Sequence, residues 1–302
     1  MYNHKHLNVL VHIIFTTVIL LLVPTFTSQS LAQSVLVGTQ YDTTHVYVAP
    51  ADMDALVNCF VATFGGHATT RSLTNVLPVP SSTESQAILT PSGNLSVFGY
   101  QTPVPFPFGQ ERNGYLVTDL DQGVKAAQKA GAEVIVAPFK DPIGRDAVIQ
   151  WPGGVKMQLY WHTTPSSYAP LSVVPESRVY VSPDRADEFV RDIVRFGHGK
   201  VVSDDKNADG SEIGKPGEVF RRIQIESGLG EMVVLVTDGH LPYPFGYETT
   251  GYTVADLSDA LTKAKAAGAQ LLSGPLNANN RTTAIVEFPG GYIAEIHAPL
   301  TH

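Results

Sequence analysis

The residues whose types and spacing could do chemistry include one run of oxygen-bearing side chains, Asp205-Lys206-Asn207-Ala208-Asp209-Gly210. Carboxylate and amide oxygens at alternating positions before a glycine match the first half of a calcium-binding loop. The position of the closing glutamate is Pro216 instead, and no flanking helices are predicted. A solvated hairpin loop is the alternative, because Asp, Asn and Gly also favour turns for local reasons. The pattern therefore allows weak calcium binding at Asp205 to Asp209.

Other familiar chemical motifs are missing from the sequence. It contains no nucleophile elbow, no glycine-rich phosphate loop and no paired-cysteine metal motif, which disfavours hydrolase and nucleotide-binding functions. The single cysteine, Cys59, lies on the apolar face of a predicted helix, so no internal disulfide can form and a buried, inert thiol is expected. The net charge of −8 makes nucleic acid an unexpected partner.

Two segments rich in proline and aromatic residues could contact a planar ligand. Pro103 to Gly109 and His240 to Gly246 share a Pro-aromatic-Pro-Phe-Gly pattern. As lids over pocket mouths they would offer aromatic rings for stacking. The rings in question are Phe106, Phe108, Tyr243 and Phe245. Packing between domains, or of each segment on its own sheet edge, is the alternative.

A long internal repeat indicates which elements must position these side chains. Residues 114–158 and 251–295 align without a gap, 137 residues apart. In the first copy a strand leads to Asp119, the expected N-cap of a helix that ends at Gly131, and a Pro-Gly-Gly turn joins the last two strands. The same signals recur in the second copy at Asp256, Gly268 and Pro289-Gly290-Gly291. Each copy is therefore predicted to be a βαβββ unit.

Two more diverged units precede these copies. One begins with the alternating strand Thr44 to Val48 and the helix Pro50 to Phe64, and the other begins with Ser177 to Pro183, 133 residues later. The change of offset places four extra residues in the second half, most simply at Ser203 to Gly217. Residues 78–85 read as a Pro/Ser-rich linker inside the first unit. The prediction is an α+β protein of four βαβββ units paired into two similar domains, 41–163 and 175–300.

These paired units resemble the glyoxalase/bleomycin-resistance/dioxygenase family, which is the vicinal oxygen chelate superfamily. The resemblance rests on the helix start at Asp119, the following Gly131-Ala132 strand start and the closing Pro-Gly-Gly strand, and it covers residues 41–300. It implies cupped mixed sheets, each enclosing a pocket. The superfamily hosts many chemistries, so function must be argued from the site.

In metal-dependent members of the family, the resemblance implies ligands on an opening strand, an inner strand and a closing strand. The first domain offers His45, a position near Arg112, and Gln158, while the second offers Arg178, a position near Thr249, and Glu295. His45, Gln158 and Glu295 are thus the candidate ligands for one divalent ion such as Mn, Fe, Zn or Ni. Neither set is a full triad, and arginine cannot ligate a metal. For His45, a hydrogen-bonded position in the pocket wall is the alternative.

Arg178 suggests a substitute for the ion in the second domain. We expect its guanidinium to pair with Glu295 and to take the place of the metal, since an unpaired buried glutamate would be costly. Strand alternation puts His297 on the same face as Glu295. His297 is the catalytic candidate, as a general base or ligand, with a hydrogen-bonded pocket-edge histidine as the alternative.

Several other side chains are candidates for contact with a ligand. Strand alternation places Tyr160 and His162 on the face of Gln158, and Tyr100 ends a strand of the first unit. The complete ligand-contact set is Tyr100, Phe106, Phe108, Arg112, Tyr160, Arg178, Tyr243 and Phe245.

Residues 1–32 match a secretory leader. His4-Lys5-His6 precede an apolar run from Leu7 to Val23, and Ser30-Leu31-Ala32 provides a small-residue cleavage site. The run approaches the length needed to span a bilayer, so an uncleaved N-terminal anchor is the alternative. A secreted or periplasmic protein with no membrane contact after leader removal is predicted.

The sequence favours a protein that binds a small organic molecule in a cupped-sheet pocket, with degenerate metal sites, as a monomer with internal pseudo-symmetry. The first alternative is a metal-dependent lyase or isomerase of the glyoxalase type, or an extradiol-type dioxygenase, using His45 and Gln158 of the first domain. The second is a structural or interaction module. An open, polar cup would favour ligand binding, whereas an apolar, closed cup would favour the structural role.

Overall fold

The computed structural model describes residues 37–76, 81–103 and 113–300. The predicted leader, residues 1–32, and the segment that holds Phe106, Phe108 and Arg112 lie outside the described residues. The described residues belong to one compact unit.

The described residues of the first half form nine strands in one mixed sheet. The strands are β1 Thr44–Val48, β2 His67–Ala68, β3 Ser72–Val76, β4 Ser81–Leu89, β5 Leu95–Tyr100, β6 Asn113–Leu116, β7 Glu133–Lys140, β8 Gly144–Gln150 and β9 Lys156–His162. Their order is β2-β4-β5-β1-β6-β9-β8-β7, and β3 also pairs with β4. The two opening strands, β1 and β6, therefore meet at the centre of the sheet.

The described residues of the second half form eight strands in a second mixed sheet. The strands are β10 Glu176–Val181, β11 Lys200–Asp209, β12 Val219–Ser227, β13 Gly230–Val236, β14 Thr249–Thr253, β15 Gln270–Ala278, β16 Arg281–Phe288 and β17 Tyr292–Pro299. Their order, β11-β12-β13-β10-β14-β17-β16-β15, has the same connectivity as the first sheet. The predicted α+β architecture of four βαβββ units paired into two sheets is confirmed.

Four α-helices occur in the described part of the chain, one in each unit. They are α1 Met53–Phe64, α2 Leu120–Ala130, α3 Ala186–Gly197 and α4 Leu257–Ala266. Their termini follow the sequence signals, since the Asp119 side chain accepts a hydrogen bond from the backbone N–H of Gln122 and Gly131 takes the left-handed conformation after α2. None of these helices is long and apolar enough to cross a membrane.

The helices pack in pairs taken from opposite halves of the chain, α1 with α4 and α2 with α3. One buried apolar cluster joins the first and fourth units, and a second joins the second and third units. Cys59 lies in the first of these clusters, where burial raises the pKa of its thiol. The expectation of a buried thiol is therefore met.

The linker predicted at 78–85 is wrong for residues 81–85, which belong to β4. This serine- and threonine-rich segment pairs with both β3 and β5. Its hydroxyl groups find partners, as when the Ser81 and Thr102 side-chain oxygens lie 2.7 Å apart. Small polar residues with satisfied hydroxyls can therefore extend a strand where composition alone indicates a loop.

Candidate functional site

Strand alternation divides each sheet into a face that carries the helices and an opposite face that is free of them. On β1, Val46 and Val48 pack in the apolar cluster with α1, whereas His45 and Tyr47 point away from it. The helix-free face of the first sheet encloses a cavity of about 500 Å³. We call this cavity the first cup; it is bounded by Asp42, by side chains from β1, β3, β4, β5, β7, β8 and β9, and by the segments before β3, between β7 and β8 and after β9.

One wall of the first cup is a row of aromatic rings. Tyr47 stacks on Phe98 and on Tyr100, with ring centroids 5.4 and 6.0 Å apart. The His45 ring meets Phe98 edge-on at 5.7 Å. Tyr160 also lines the cavity, and its ring centroid lies 5.0 Å from that of His162. These rings offer flat apolar faces to the cavity, which is typical of a site for a planar organic molecule.

The polar side of the first cup is organised by Asp42. Its carboxylate accepts a hydrogen bond from the Tyr168 hydroxyl at 2.9 Å and another from the Ser96 hydroxyl. The Tyr160 hydroxyl donates to the Asp42 backbone carbonyl at 3.1 Å. Burial, followed by the charge of Asp42, raises the pKa of both tyrosines, which therefore remain neutral phenols at physiological pH.

The two candidate metal ligands of the first domain, His45 and Gln158, both line the first cup. The inner strand adds no side chain beside them, because the residue paired with Gln158 is Gly114. A Cβ atom at Gly114 would lie 2.6 Å from the His45 ring. The expected inner-strand position near Arg112 is therefore displaced to Gly114, where glycine makes room for the imidazole. Two candidate ligands remain, one fewer than a mononuclear catalytic site usually takes.

The second half of the chain has the same arrangement, with a glycine at the inner-strand position. Gly251, 137 residues after Gly114, pairs with both Glu176 and Glu295. A Cβ atom there would lie 2.7 Å from a carboxylate oxygen of Glu295. The inner-strand position expected near Thr249 is therefore Gly251, for the same steric reason as in the first domain.

A buried ion-pair network occupies the helix-free face of the second sheet. Arg178 donates to Glu176 at 2.8 Å and to Glu212 at 2.9 Å, and its guanidinium lies 3.7 Å from Glu295. Arg281 donates to both carboxylate oxygens of Glu176, at 2.9 and 3.0 Å. Arg178 and Glu295 thus share one face and one ion-pair network, although the shortest bonds of Arg178 go to the other two glutamates.

Three carboxylates in this network face three guanidinium groups, because Arg222 also pairs with Glu212, at 3.1 Å. Burial acts to raise the pKa of Glu176, but Arg281 and Arg178 lower it to about 2. The pKa of Glu295 also lies well below its ordinary value, since the same two arginines outweigh its burial. With three glutamates and three arginines, the network is formally neutral.

His297, the catalytic candidate, belongs to this network. Its Nδ1 lies 2.6 Å from Glu295, and its Nε2 lies 2.7 Å from the Thr253 hydroxyl. Both ring nitrogens are thus engaged with protein groups. The Glu295 carboxylate also accepts a hydrogen bond from the Thr283 hydroxyl. This arrangement matches a hydrogen-bonded histidine, and a general-base role stays a prediction.

We call the corresponding space on this face of the second sheet, bordered by Arg178, Glu212, Phe245 and Thr283, the second cup. Its cavity has a volume of only about 10 Å³. The insert after β11 brings Glu212 and Ile213 inside, and the His240 to Gly246 segment places the Phe245 ring against Gly214. Tyr180 packs against the apolar cluster formed here. The second cup is therefore closed by its own side chains.

The same region contains a group of residue types suited to a metal. Glu176, Glu295 and His297 present ligand atoms within 4.8 Å of one another, so the set could hold one divalent ion. Both carboxylates are already engaged by Arg178 and Arg281. Two cations so close would repel a divalent ion, so the donor types fit a metal but their present neighbours do not.

The remaining predicted contact residues divide between the two halves. Tyr100 and Tyr160 line the first cup. Arg178 and Phe245 border only the small second cavity. Tyr243 is 62 % exposed and donates its hydroxyl to Glu287 at a groove outside both cups. Their roles in ligand contact stay predictions.

Sequence reasoning missed several members of both sites. Glu176 lies two residues before Arg178 on the same strand, so alternation could have found it. Glu212 comes from an insert and Arg281 from the end of a hairpin. No local sequence pattern predicts that either segment reaches the second cup. Asp42 lies before the first strand of the first sheet, and Tyr168 lies after its last strand. No local sequence pattern pointed to either residue.

The calcium-like segment forms strand β11 and the turn after it. Asp205 accepts from the backbone N–H of Asn207, and Asp209 accepts from that of Ser211. Asp204 pairs with Arg221. These carboxylates serve separate local partners, and calcium binding at Asp205 to Asp209 stays a prediction.

No protein-family model matches the sequence, and no curated protein sequence matches it. Similar solved structures exist. A triple mutant of 4-hydroxymandelate synthase from Streptomyces coelicolor superimposes with a TM-score of 0.58 at 12% identity, covering 88% of this chain and 94% of that one. A variant of homoprotocatechuate 2,3-dioxygenase from Brevibacterium fuscum, in complex with HPCA, gives 0.56 at 14% identity, over 87% and 71%. The 2,3-dioxygenase LapB from Pseudomonas sp. KL28 gives 0.51 at 11% identity, over 89% and 94%. At these identities the similarity shows the fold.

Proposed function

We propose, from the premise that this chain has the tandem fold of the vicinal oxygen chelate superfamily, that it binds a small organic molecule in the first cup. The contrast between the two cups carries the proposal. The first encloses about 500 Å³, within the range of small-molecule sites, whereas the second encloses about 10 Å³. One half of a duplicated fold thus keeps an open pocket, and the other fills it with side chains.

The lining of the first cup supports ligand binding over a structural role. A structural module would close the cup with its own side chains, as the second half does with Phe245 and the buried ion-pair network. The first cup instead presents stacked rings beside polar groups such as Asp42, His45 and Gln158. Apolar faces with a few directed polar groups are the usual composition of a ligand pocket.

Binding can be tested by calorimetric titration of the full chain with small aromatic compounds that bear neutral, cationic and anionic groups. Ser85 borders the cavity, and Ser85→Trp should fill part of it and abolish binding. Gln128→Trp on the exposed side of α2 should leave binding unchanged. If no compound binds, or if Ser85→Trp binds as well as the unmodified chain, the proposal fails.

A metal-dependent enzyme is the second candidate, because Glu176, Glu295 and His297 offer the donor types of a metal site, although Arg178 and Arg281 engage both carboxylates in this structure. A bound ion would act as a Lewis acid toward an oxygen-bearing substrate. Metal content should be measured on protein purified without chelators or a His-tag, alongside Glu295→Gln and His45→Ala. About one ion per chain lost in Glu295→Gln would place the metal in the second domain. Loss in His45→Ala would favour the glyoxalase-type or extradiol-type alternative in the first.

We further propose that the protein acts outside the cytoplasm, on the strength of the leader pattern in residues 1–32. The mass of the mature protein tests this. A chain starting at Gln33 supports cleavage, and retention of residues 1–32 supports an anchor.

A further inference from the structure

One edge of the first cup is built from short hydroxyl side chains. Strand alternation points Ser72 and Thr74 of β3 toward the cavity, and it does the same for Thr83 and Ser85 of β4. The register places these residues in two rows across the strands, with Thr74 opposite Thr83 and Ser72 opposite Ser85. We call these four residues the hydroxyl rows.

The hydroxyl rows continue directly into the aromatic rings of the cup, Tyr47, Phe98 and Tyr100, which we call the aromatic wall. Thr83 pairs with Tyr100, and Ser85 pairs with Phe98, across the antiparallel strands β4 and β5. Phe98 pairs in turn with Tyr47 on β1. Directly opposite residues of antiparallel strands have Cβ atoms about 4.5–5.5 Å apart. One face of the sheet therefore changes from hydroxyl groups to aromatic rings between neighbouring strands.

The hydroxyl rows can donate and accept hydrogen bonds. The Ser72 and Ser85 side-chain oxygens lie 3.2 Å apart, so one hydroxyl donates to the other, and the acceptor keeps a hydrogen of its own. The Thr83 hydroxyl donates to the Glu84 backbone carbonyl at 3.1 Å and keeps its lone pairs for an incoming donor. A ligand that bears several hydroxyl groups matches this edge, because each of its hydroxyls also donates and accepts.

The second half shows the effect of a longer side chain in the same register. Arg222 holds the place in the second sheet that Ser85 holds in the first, opposite the residue of β13, Leu235, that pairs with Tyr180 on the opening strand. Its guanidinium reaches Glu212 at 3.1 Å inside the second cup. The short hydroxyl side chain in the first half instead leaves room in the cavity beside the aromatic wall.

We infer that the first cup takes a molecule in which an aromatic ring is bonded to a sugar, which is the chemistry of an aromatic glycoside. The inference rests on the proposed binding function and specifies the ligand class. The aromatic ring packs against the aromatic wall, and the sugar hydroxyls lie over the hydroxyl rows. A ring without the sugar uses only one part of this face, and a sugar without the ring uses only the other.

Two series of probes test the inference by calorimetry on the full chain. Phenyl β-D-glucopyranoside is compared with phenol, which lacks the sugar, and with methyl β-D-glucopyranoside, which lacks the ring. Adenosine is compared with adenine and with ribose, so that a nucleoside is distinguished from a phenolic glycoside as the source of the same chemistry. In at least one series, the joined molecule should bind roughly tenfold or more tightly than either part, because hydrogen bonds to the sugar add to the packing of the ring.

Two double variants locate the hydroxyl groups responsible. Thr74→Val with Thr83→Val removes one hydroxyl row, and Ser72→Ala with Ser85→Ala removes the other. Each should reduce the advantage of the joined molecule over its aromatic part by roughly fivefold or more. Thr262→Val, on the exposed side of α4, should leave the advantage unchanged. The rows are removed separately, so a folding defect in one double variant does not remove the test.

The outcomes separate the inference from the proposed function. If phenol and adenine bind as well as the joined molecules, ligand binding stands and the aromatic glycoside is the wrong class. If the sugars alone bind as well as the joined molecules, the aromatic ring is not recognised and the inference is overturned. If no probe binds, both the inference and the proposed function fail. If the joined molecules bind more tightly but neither double variant reduces their advantage, the hydroxyl rows do not recognise the sugar and the inference is again overturned.

Discussion

At the scale of single residues, the second cup contains a buried network in which arginines balance glutamates. Arg178 brings one positive charge to the region of Glu176, Glu212 and Glu295, and Arg281 brings another. Removal of one partner from a buried pair leaves uncompensated charge, which costs more than the pair itself contributes. Each member of the network is therefore expected to be sensitive to substitution.

Arg178→Met should lower the free energy of unfolding by about 3 kcal/mol or more, because the buried glutamates lose their central cation. Urea denaturation of the full chain measures the change. Arg185→Met is the matched control, since Arg185 is half exposed and pairs with Glu188 at the surface, and its effect should stay within about 0.5 kcal/mol. Equal effects of the two substitutions would contradict a structural role for the network.

The same network predicts a loss of stability in acid. The pKa of Glu176 is about 2 in the folded state against an ordinary value of 4.5. Because the folded value is the lower one, the unfolded chain binds more protons between these values, so the stability contribution is complete above about pH 5 and disappears as the pH falls towards 2. Glu176 alone should account for about 3 kcal/mol.

Urea denaturation at pH 6, 4 and 3 measures this dependence. Glu176→Gln should show a smaller fall in stability over that range, although it is less stable at pH 6. The exposed Glu231→Gln should keep the full dependence of the unmodified chain. A chain equally stable at pH 6 and pH 3 would refute the ionised network.

At the scale of elements, the loops decide which cup is open. The Phe245 ring, 8% exposed, lies against Gly214 of the insert that follows β11 and helps to close the second cup. Tyr247, the residue directly after the His240 to Gly246 segment, is 62% exposed. In this half, the segment from His240 to Gly246 therefore serves as packing. Sequence analysis gave packing as the alternative to a lid over a pocket mouth.

Phe245→Ala should lower the free energy of unfolding by about 3 kcal/mol, because it leaves a cavity where an aromatic ring was buried. Tyr247→Ala removes a ring of similar size from the surface, so its effect should be within about 0.5 kcal/mol. Thermal denaturation of both variants makes the comparison. A larger loss in Tyr247→Ala would show that the segment does not seal the second cup.

The sequence predicted the elements well and the sites only in part. The helices, their caps and the repeat were readable because their signals are local, as at Asp119 and Gly131. Strand alternation also assigned Glu295 and His297 to one face. The partners Glu212 and Arg281 enter the cup through long-range packing of an insert and a hairpin, which no local pattern encodes. The sequence did not reveal that Gly114 and Gly251 occupy the inner-strand positions. A glycine offers no side chain, and its close approach to a neighbour can be seen only in the structure.

At the scale of the whole molecule, the two halves share their cores. The cluster around α1 is completed by α4, and Cys59 of α1 lies 3.7 Å from the Ala264 carbonyl of α4. The cluster around α2 is likewise completed by α3. Each half alone would expose the helix faces that its counterpart covers.

Neither residues 33–163 nor residues 164–302 should fold cooperatively when expressed alone, because each would leave two apolar helix faces in water. Mixing the two purified pieces should restore cooperative thermal unfolding. Circular dichroism during heating provides the measurement. Independent, cooperative folding of either piece would show that the shared clusters are not required.

The most direct test of the account is a set of crystal structures of the full chain soaked with neutral, cationic and anionic aromatic fragments. The account predicts that ordered fragments lie in the first cup, with rings against Tyr47 and Phe98, and that the second cup contains only the side chains of its ion-pair network. Fragments in the second cup, or a first cup that stays empty while fragments bind elsewhere, would contradict it.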